Sequence, residues 1–272
     1  MAWLGMGGQV MADNESGVTG NVGFISDYTF RGISQNYREP SLQGGFDYTD
    51  ASGLYAGTWA SNISGNQYTN ASMEWDVYGG YTGKVGESAS YSAGLNYAMY
   101  PGGKTAATQP TRNWNTAEMN IGGTVLGFNL KYTYALTNWY GISGAAGGGF
   151  EPAMWAPGDT QATGATGRTT ANAPGSDLGT RGSSYIEANY NLALPYDHSL
   201  LLHVGHQEVK NFHLLSYTDY KIGVSKPVGG FTLSAAYTRT NATDNSLYHV
   251  LANGDNRYLG GGIFALSVNR SF

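Results

Sequence analysis

The sequence predicts an all-β protein: a single antiparallel transmembrane β-barrel of twelve strands, with short periplasmic turns and long extracellular loops. Three observations predict it. The composition is charge-poor and rich in glycine and aromatics, segments of about ten residues alternate with period two, and the connections between them alternate in length.

In 272 residues there are 41 glycines, 21 tyrosines and only 12% charged residues. A soluble domain carries roughly 25% charged residues and about 7% glycine. With 41% apolar residues the chain is not of disordered composition, and no run of about 18 apolar residues marks a spanning helix. Zero cysteine excludes disulfides, CxxC zinc sites and thiol chemistry. A net charge of −5 without a basic stripe argues against nucleic acid as a partner.

The first candidate strand is Val18–Arg31, with Val18, Val22, Phe24, Tyr28 and Phe30 on one face and Thr19, Asn21, Asp27 and Arg31 on the other. Ser41–Tyr48, Leu54–Asn62, Ser72–Thr82 and Ala89–Met99 follow. Glu74, Asp76 and Tyr78 alternate with Met73, Trp75 and Val77, as a half-polar barrel strand requires. Asn115–Val125 and Phe128–Asn138 come next, the latter setting Leu130, Tyr132 and Tyr134 against Asn129, Lys131 and Thr133. Ser184–Leu192, Leu200–Gln207, Tyr217–Lys226, Phe231–Thr240 and Gly262–Phe272 complete the twelve. Connections after the even strands are short, such as Leu126-Gly127 and Pro227-Val228-Gly229-Gly230; those after the odd strands are long, up to the loop 140–183. In a sandwich the loop lengths would scatter over both ends.

Aromatics are expected at both interfaces. Tyr28, Phe30, Trp139, Tyr140 and Tyr217 would mark the outer rim. Phe46, Tyr48, Tyr55, Tyr81, Tyr91, Phe128, Tyr190, Phe231 and Phe272 would mark the inner one. Residues 1–12 end in Val10-Met11-Ala12, a small-residue pattern that reads as the remnant of a secretion signal, leaving 13–272 as the barrel. Phe272 closes a final alternating strand and is the expected contact for the outer-membrane barrel assembly machinery; Arg270 would snorkel to the interface.

Several segments also carry a family resemblance. Gly20–Gln35 (GNVGFISDYTFRGISQ), Pro40–Tyr48 (PSLQGGFDY), Gly53–Ser64 (GLYAGTWASNIS), Glu74–Gly83 (EWDVYGGYTG) and Tyr100-Pro101 resemble the TorF-type porins, a proteobacterial outer-membrane family. The resemblance covers residues 18–101 and the last strand. It implies an outer-membrane barrel and a pore, and supplies neither a substrate nor catalytic residues.

A pore works through its lumen. The charges on the polar faces are Asp27, Asp47, Glu74, Asp76, Glu118, Glu187 and Asp219 against Arg31, Lys131 and Lys221, seven acidic to three basic. These ten are the expected pore-lining residues. Their balance predicts weak cation preference, because wall charge enriches counter-ions. The same residues could instead pair internally and plug a narrow barrel, Arg31 with Asp27 or Lys131 with Glu118. The function expected is passive diffusion of small hydrophilic solutes through a bacterial outer membrane, without cofactor or metal; outer-membrane lipids are the surrounding partner, and a homo-oligomer is compatible.

Two alternatives belong to other classes. An outer-membrane lipid hydrolase needs a Ser–His pair on the lipid-facing surface. His206 with Ser184 or Ser216 is the candidate, while His203 and His206, three apart, face opposite ways on a strand. No H-E-x-x-H, P-loop or G-x-S-x-G occurs. A structural or adhesive barrel would use its long loops, with Trp155 and Tyr248 as contacts.

Overall fold

The computed structural model describes residues 16–104, 112–142, 179–212, 215–242, 248–252 and 254–272. The expected signal remnant and Trp155 lie outside these residues, as does most of the loop 140–183.

Twelve antiparallel strands close into a barrel. In ring order they are β1 (Gly17–Ile25), β4 (Ser41–Thr49), β5 (Leu54–Asn62), β6 (Met73–Val85), β7 (Ala89–Met99), β8 (Thr116–Val125), β9 (Phe128–Ala135), β10 (Ser184–Leu194), β11 (His198–Glu208), β12 (Tyr217–Val228), β13 (Phe231–Thr240) and β16 (Ile263–Ser271). Two hairpins stand outside the wall: β2 (Thr29–Phe30) with β3 (Ile33–Ser34), and β14 (His249–Ala252) with β15 (Asp255–Tyr258). A 3-10 turn, Trp139–Gly141, follows β9. Connections of two to four residues join the strands at one end: 50–53, 86–88, 126–127, 195–197 and 229–230. The long connections, including both hairpins, gather at the other end.

The seam pairs β1 with β16 in the register Asn21↔Ser271 to Ile25↔Ser267. Reciprocal backbone bonds of 2.8 and 2.9 Å between Gly20 and Phe272 extend it. Ser26 N donates to Leu266 O at 2.9 Å at its far end. No wall strand is left as an edge, so the ladder satisfies the backbone around the whole ring.

Alternation then sorts the side chains. Val22, Phe24, Leu42, Val77, Leu95, Ile121, Leu130, Ile222, Leu233 and Leu266 are exposed on the exterior. An exposed apolar surface of this extent is stable only when something apolar covers it, and a bilayer is such a cover. Phe46, Tyr48, Tyr81, Tyr91, Phe128, Tyr190, Phe231 and Phe272 are likewise exposed near the short-turn end, on the expected inner rim. Arg270 lies on the outer face with its guanidinium carbon 5.3 Å from the Phe231 ring centroid.

Three expectations need correction. Tyr55 belongs to the inward face of β5, because its neighbour Leu54 is exposed on the outer one. β1 stops at Ile25 rather than Arg31, and β9 at Ala135 rather than Asn138. The outer-rim aromatics are not a girdle at all: Tyr28 is 1% exposed, Tyr217 3% and Trp139 6%. Tyr28, Phe30, Trp139 and Tyr140 lie beyond the last ladder pair of their strands, so alternation no longer governs them and they collapse inward. Tyr217 shares the inward parity of Asp219.

A charge on the exterior tests this sorting. Leu95→Arg, at the middle of β7, should destabilise the barrel refolded in lipid vesicles by about 2–4 kcal/mol in urea unfolding. An Arg at the inward neighbour Asn96 should cost less.

Candidate functional site: the interior charge network

The interior is polar and changes character along its length. Toward the short-turn end, inward residues such as Asp47, Tyr55, Tyr78, Ser92, Asn120, Asn129, Lys131 and Asn189 remain partly accessible. Toward the loop end, Gln43, Ser61, Glu74, Thr116, Glu118, Gln207, Asp219 and Thr240 are buried. Leu201 and Ser225 on β11 and β12 are buried lower down. The barrel is therefore a cup, more accessible at one end and packed at the other.

The packing comes from the first long connection. Thr29-Phe30 and Ile33-Ser34 pair as a minimal hairpin whose two turn residues are Arg31 and Gly32. Both have positive φ, +46° and +79°, the geometry of a type I′ turn. Gly32 is needed twice over, since a β-carbon there would also strike Thr240 and Asp219 on the barrel wall. The hairpin thus lies against β12 and β13 and aims Arg31 across the interior.

Arg31 makes a bidentate fork with Glu118 of β8, at 3.0 and 2.8 Å, and its Nη1 also donates to Gln207 Oε1 of β11 at 2.8 Å. Its guanidinium lies 4.7 Å from the Phe30 ring centroid and 4.4 Å from that of Tyr185. Gln207 is held in turn, its amide donating to Ser184 O and Glu208 O. Planar, bidentate recognition of a carboxylate is a task for Arg rather than Lys.

Beneath this clamp runs a second network. Lys131 meets Glu187 at 2.6 Å across adjacent strands. Asn189 Nδ2 donates to Glu187 Oε2 at 3.1 Å, and Asn189 Oδ1 lies 2.7 Å from His203 Nδ1. His203 Nε2 is 2.8 Å from Asp219 Oδ1, and the Tyr185 hydroxyl donates to Asp219 Oδ2 at 2.9 Å. Gly205 makes this possible: a β-carbon there would overlap the Tyr185 hydroxyl. Lys221 faces inward on the same strand as Asp219.

Of the ten expected residues, Asp47, Glu74, Asp76, Glu118, Lys131, Glu187, Asp219 and Lys221 project inward from wall strands. Asp27 and Arg31 do not belong to the wall; they arrive with the folded-in connection. The pairings suggested for them change too. Arg31 pairs with Glu118 rather than Asp27, and Lys131 with Glu187 rather than Glu118, because Lys131 and Glu187 are direct ladder partners. Tyr185, Asn189, His203 and Gln207 were missed, although each shares the inward parity of a charge or core residue on its own strand.

The remaining acids occupy the other wall. Tyr78 donates to Asp47 at 2.6 Å and Tyr100 to Glu74 at 2.9 Å. Among the described residues, Asp47, Glu74 and Asp76 have no cationic partner within ion-pair distance. β4 and β6 stand opposite β10 and β12 in the twelve-membered ring. A carboxylate wall therefore faces the wall that holds Lys131 and Lys221.

Above the barrel, two arginines tie the first and last connections together. Arg38 donates to Tyr258 O at 3.0 and 2.6 Å, and Arg257 reaches Glu39 at 2.7 Å and Tyr37 O at 2.7 Å. Asp27 sits just below, 6% exposed, accepting from Ser34 Oγ at 2.6 Å. Burial pushes its carboxyl up to about 6, against the Ser34 hydrogen bond and the charge of Arg38, which pull it down.

His206 points outward and shares a hydrogen bond with Thr218 at 2.9 Å. Ser216 instead accepts from Val209 N, and among the described residues neither it nor Ser184 is hydrogen-bonded to His206, whose partners are Thr218 and, at 3.8 Å, Glu208. Tyr248 is buried and donates to Leu215 O, so it does not offer the loop-surface contact expected of an adhesive barrel. Among the described residues no group of three or more His, Asp or Glu is placed to hold a metal ion.

A family model matches residues 10–272. The chain belongs to the family described as "Bacterial protein of unknown function (Gcw_chp)". That description differs from the TorF-type name and assigns no activity. No curated protein matches the chain. Among solved structures it is similar to the KdgM porin, at 7% identity over 93% of this chain and 99% of that one, with a TM-score of 0.49. The NanC porin is similar at 8% identity over 93% and 98%, TM-score 0.49. Pseudomonas aeruginosa OprD is similar at 12% over 94% and 66%, TM-score 0.39. At these identities and scores the likenesses carry nothing about solute or mechanism.

Two outcomes follow. Arg31→Ala leaves Glu118 buried without its cation and should destabilise the barrel by about 3–5 kcal/mol in urea unfolding, with Arg31→Lys intermediate. Asp27 binds a proton more tightly folded than unfolded, so its contribution is full below pH about 4 and is lost as pH rises to about 6. Asp27→Asn still accepts from Ser34 and should gain stability relative to wild type across that window, by up to about 3 kcal/mol, in unfolding midpoints taken from pH 4 to 7.5.

Proposed function

We propose that this barrel sits in a bacterial outer membrane and acts as a channel for passive diffusion of small hydrophilic solutes, with weak cation preference. One observation carries the reading: a closed wall with an apolar exterior encloses a polar interior whose side chains are partly accessible toward the short-turn end. A chain that served only as a membrane anchor would have no use for six wall carboxylates inside. Twelve strands lie between the filled eight-stranded barrels and the open porins of sixteen or more.

The mechanism is diffusion past opposed charges. A solute in the cup lies between Asp47 and Asp76 on β4 and β6 and the lysines of β9 and β12, so its dipole is oriented across the channel. Six wall acids, Asp47, Glu74, Asp76, Glu118, Glu187 and Asp219, against Lys131, Lys221 and the inserted Arg31 leave the interior net negative, which enriches cations. The Arg31 hairpin closes the loop end, so passage requires it to shift or a solute to slip past it. No step requires a catalytic group or a cofactor, and we read the protein as a non-enzyme.

Planar bilayers test this. In a salt gradient the purified barrel should show discrete conductance with a reversal potential directed toward cations, and Asp47→Asn with Asp76→Asn should move it toward zero. Arg31→Ala should raise the conductance. Absence of conductance in wild type and Arg31→Ala alike would end the channel reading, and an anion-directed reversal would end the charge assignment. Phospholipid hydrolysis lost on His206→Ala would favour the hydrolase instead.

A further inference from the structure

The connections that close the loop end leave a cavity of about 120 Å³ between them. A single water occupies roughly 10–15 Å³ on such a measure, so the space accommodates a molecule of one ring. It lies among residues from five separate connections, Trp114 coming from the one between β7 and β8. Phe30, Ile33 and Gln35 come from the first, Gln67 and Tyr68 from the second, Trp139 and Tyr140 from the long loop, and Tyr248, Val250 and Leu259 from the last.

The walls are preset. Tyr68 and Trp114 meet edge to face at 5.5 Å, Trp139 and Tyr140 at 4.9 Å, and Tyr217 and Tyr248 at 5.3 Å. Two of their hydroxyls are already committed, Tyr68 to Gln35 Oε1 and Tyr248 to Leu215 O. Among the described residues, Gln67 Oε1 and Trp139 Nε1 belong to lining side chains, are buried and make no hydrogen bond. Trp139 as a whole is only 6% exposed. A buried acceptor and a buried donor left unsatisfied each cost about 1–3 kcal/mol, and both side chains line this one cavity. Among the described residues no lining side chain is charged, so an ion would be desolvated there without a partner from them.

We propose that this cavity is a binding site for an uncharged single-ring molecule bearing one hydroxyl or amide. The apolar ring would sit against Tyr68, Tyr140 and Leu259, while the polar handle would donate to Gln67 Oε1 and accept from Trp139 Nε1. An apolar pocket with a few convergent polar groups is the usual form of a small-molecule site. The site does not rest on conduction: a barrel that carries no current could still bind.

The test uses the full chain refolded in lipid nanodiscs, with 4-fluorophenol followed by fluorine NMR and empty nanodiscs as the partition reference. Saturable binding above the reference is expected, and it should vanish in Val250→Trp, which fills the cavity. Gln67→Leu should weaken 4-fluorophenol about three- to tenfold and leave fluorobenzene unchanged. Heat-modifiable migration identifies the folded variants, and Gln67→Leu decides the matter if Val250→Trp does not fold. Partition equal to that of empty nanodiscs would overturn the site. Binding of 4-fluorobenzoate as tight as that of 4-fluorophenol would overturn the uncharged class. An unchanged fluorophenol-to-fluorobenzene ratio in Gln67→Leu would overturn the handle.

Discussion

Everything in this molecule follows from the closure of β1 onto β16. An open sheet of this length would present two rows of bare N–H and C=O groups, intolerable in hydrocarbon and hazardous in water. Once the register Asn21↔Ser271 is set and Gly20 has exchanged bonds with Phe272, the sheet has an inside and an outside. The period-two pattern then does the sorting, placing Phe24, Leu95 and Leu266 outside while Asp47, Glu118 and Asp219 go in. The low charge content has the same cause, since half of every strand must face an apolar environment.

Two kinds of order meet along the barrel axis. In the wall, each side chain is assigned by the ladder, and neighbours such as Lys131 and Glu187 meet because their residues are ladder partners. Beyond the last ladder pair the chain is free of that rule and collapses like a small soluble core. Tyr28 packs on Trp59, Tyr68 on Tyr100, and Trp139 on Tyr140. Arg31 joins the two regimes. It is delivered by a turn of the collapsed end and captured by Glu118 and Gln207 of the wall. The fork brings a cation to a buried carboxylate, and the hairpin that carries it closes the mouth.

Much of this was legible in the residues. The alternation of Glu74, Asp76 and Tyr78 with Met73, Trp75 and Val77 is a statement about two faces, and the ladder realises it. The opposite facing of His203 and His206 follows from the same period. The inward sense of Tyr55 was also available from Leu54 beside it, but tyrosine suits an interface as well as a lumen. The hairpin was harder to see. Phe30-Arg31-Gly32-Ile33 contains the glycine a tight turn needs, yet the run from Val18 continues the alternation to Arg31 and hides the end of β1.

By itself the sequence determined the number of strands, their faces and which end carries the long connections, because period and turn length are local properties of a chain. Only the tertiary structure decided that the aromatics beyond the ladder fold inward, that Arg31 crosses to Glu118, and that Lys131 takes Glu187. It also decided that five connections from different parts of the chain surround one cavity. Those outcomes depend on which residues a closed ring brings face to face, a relation that distance along the chain does not encode.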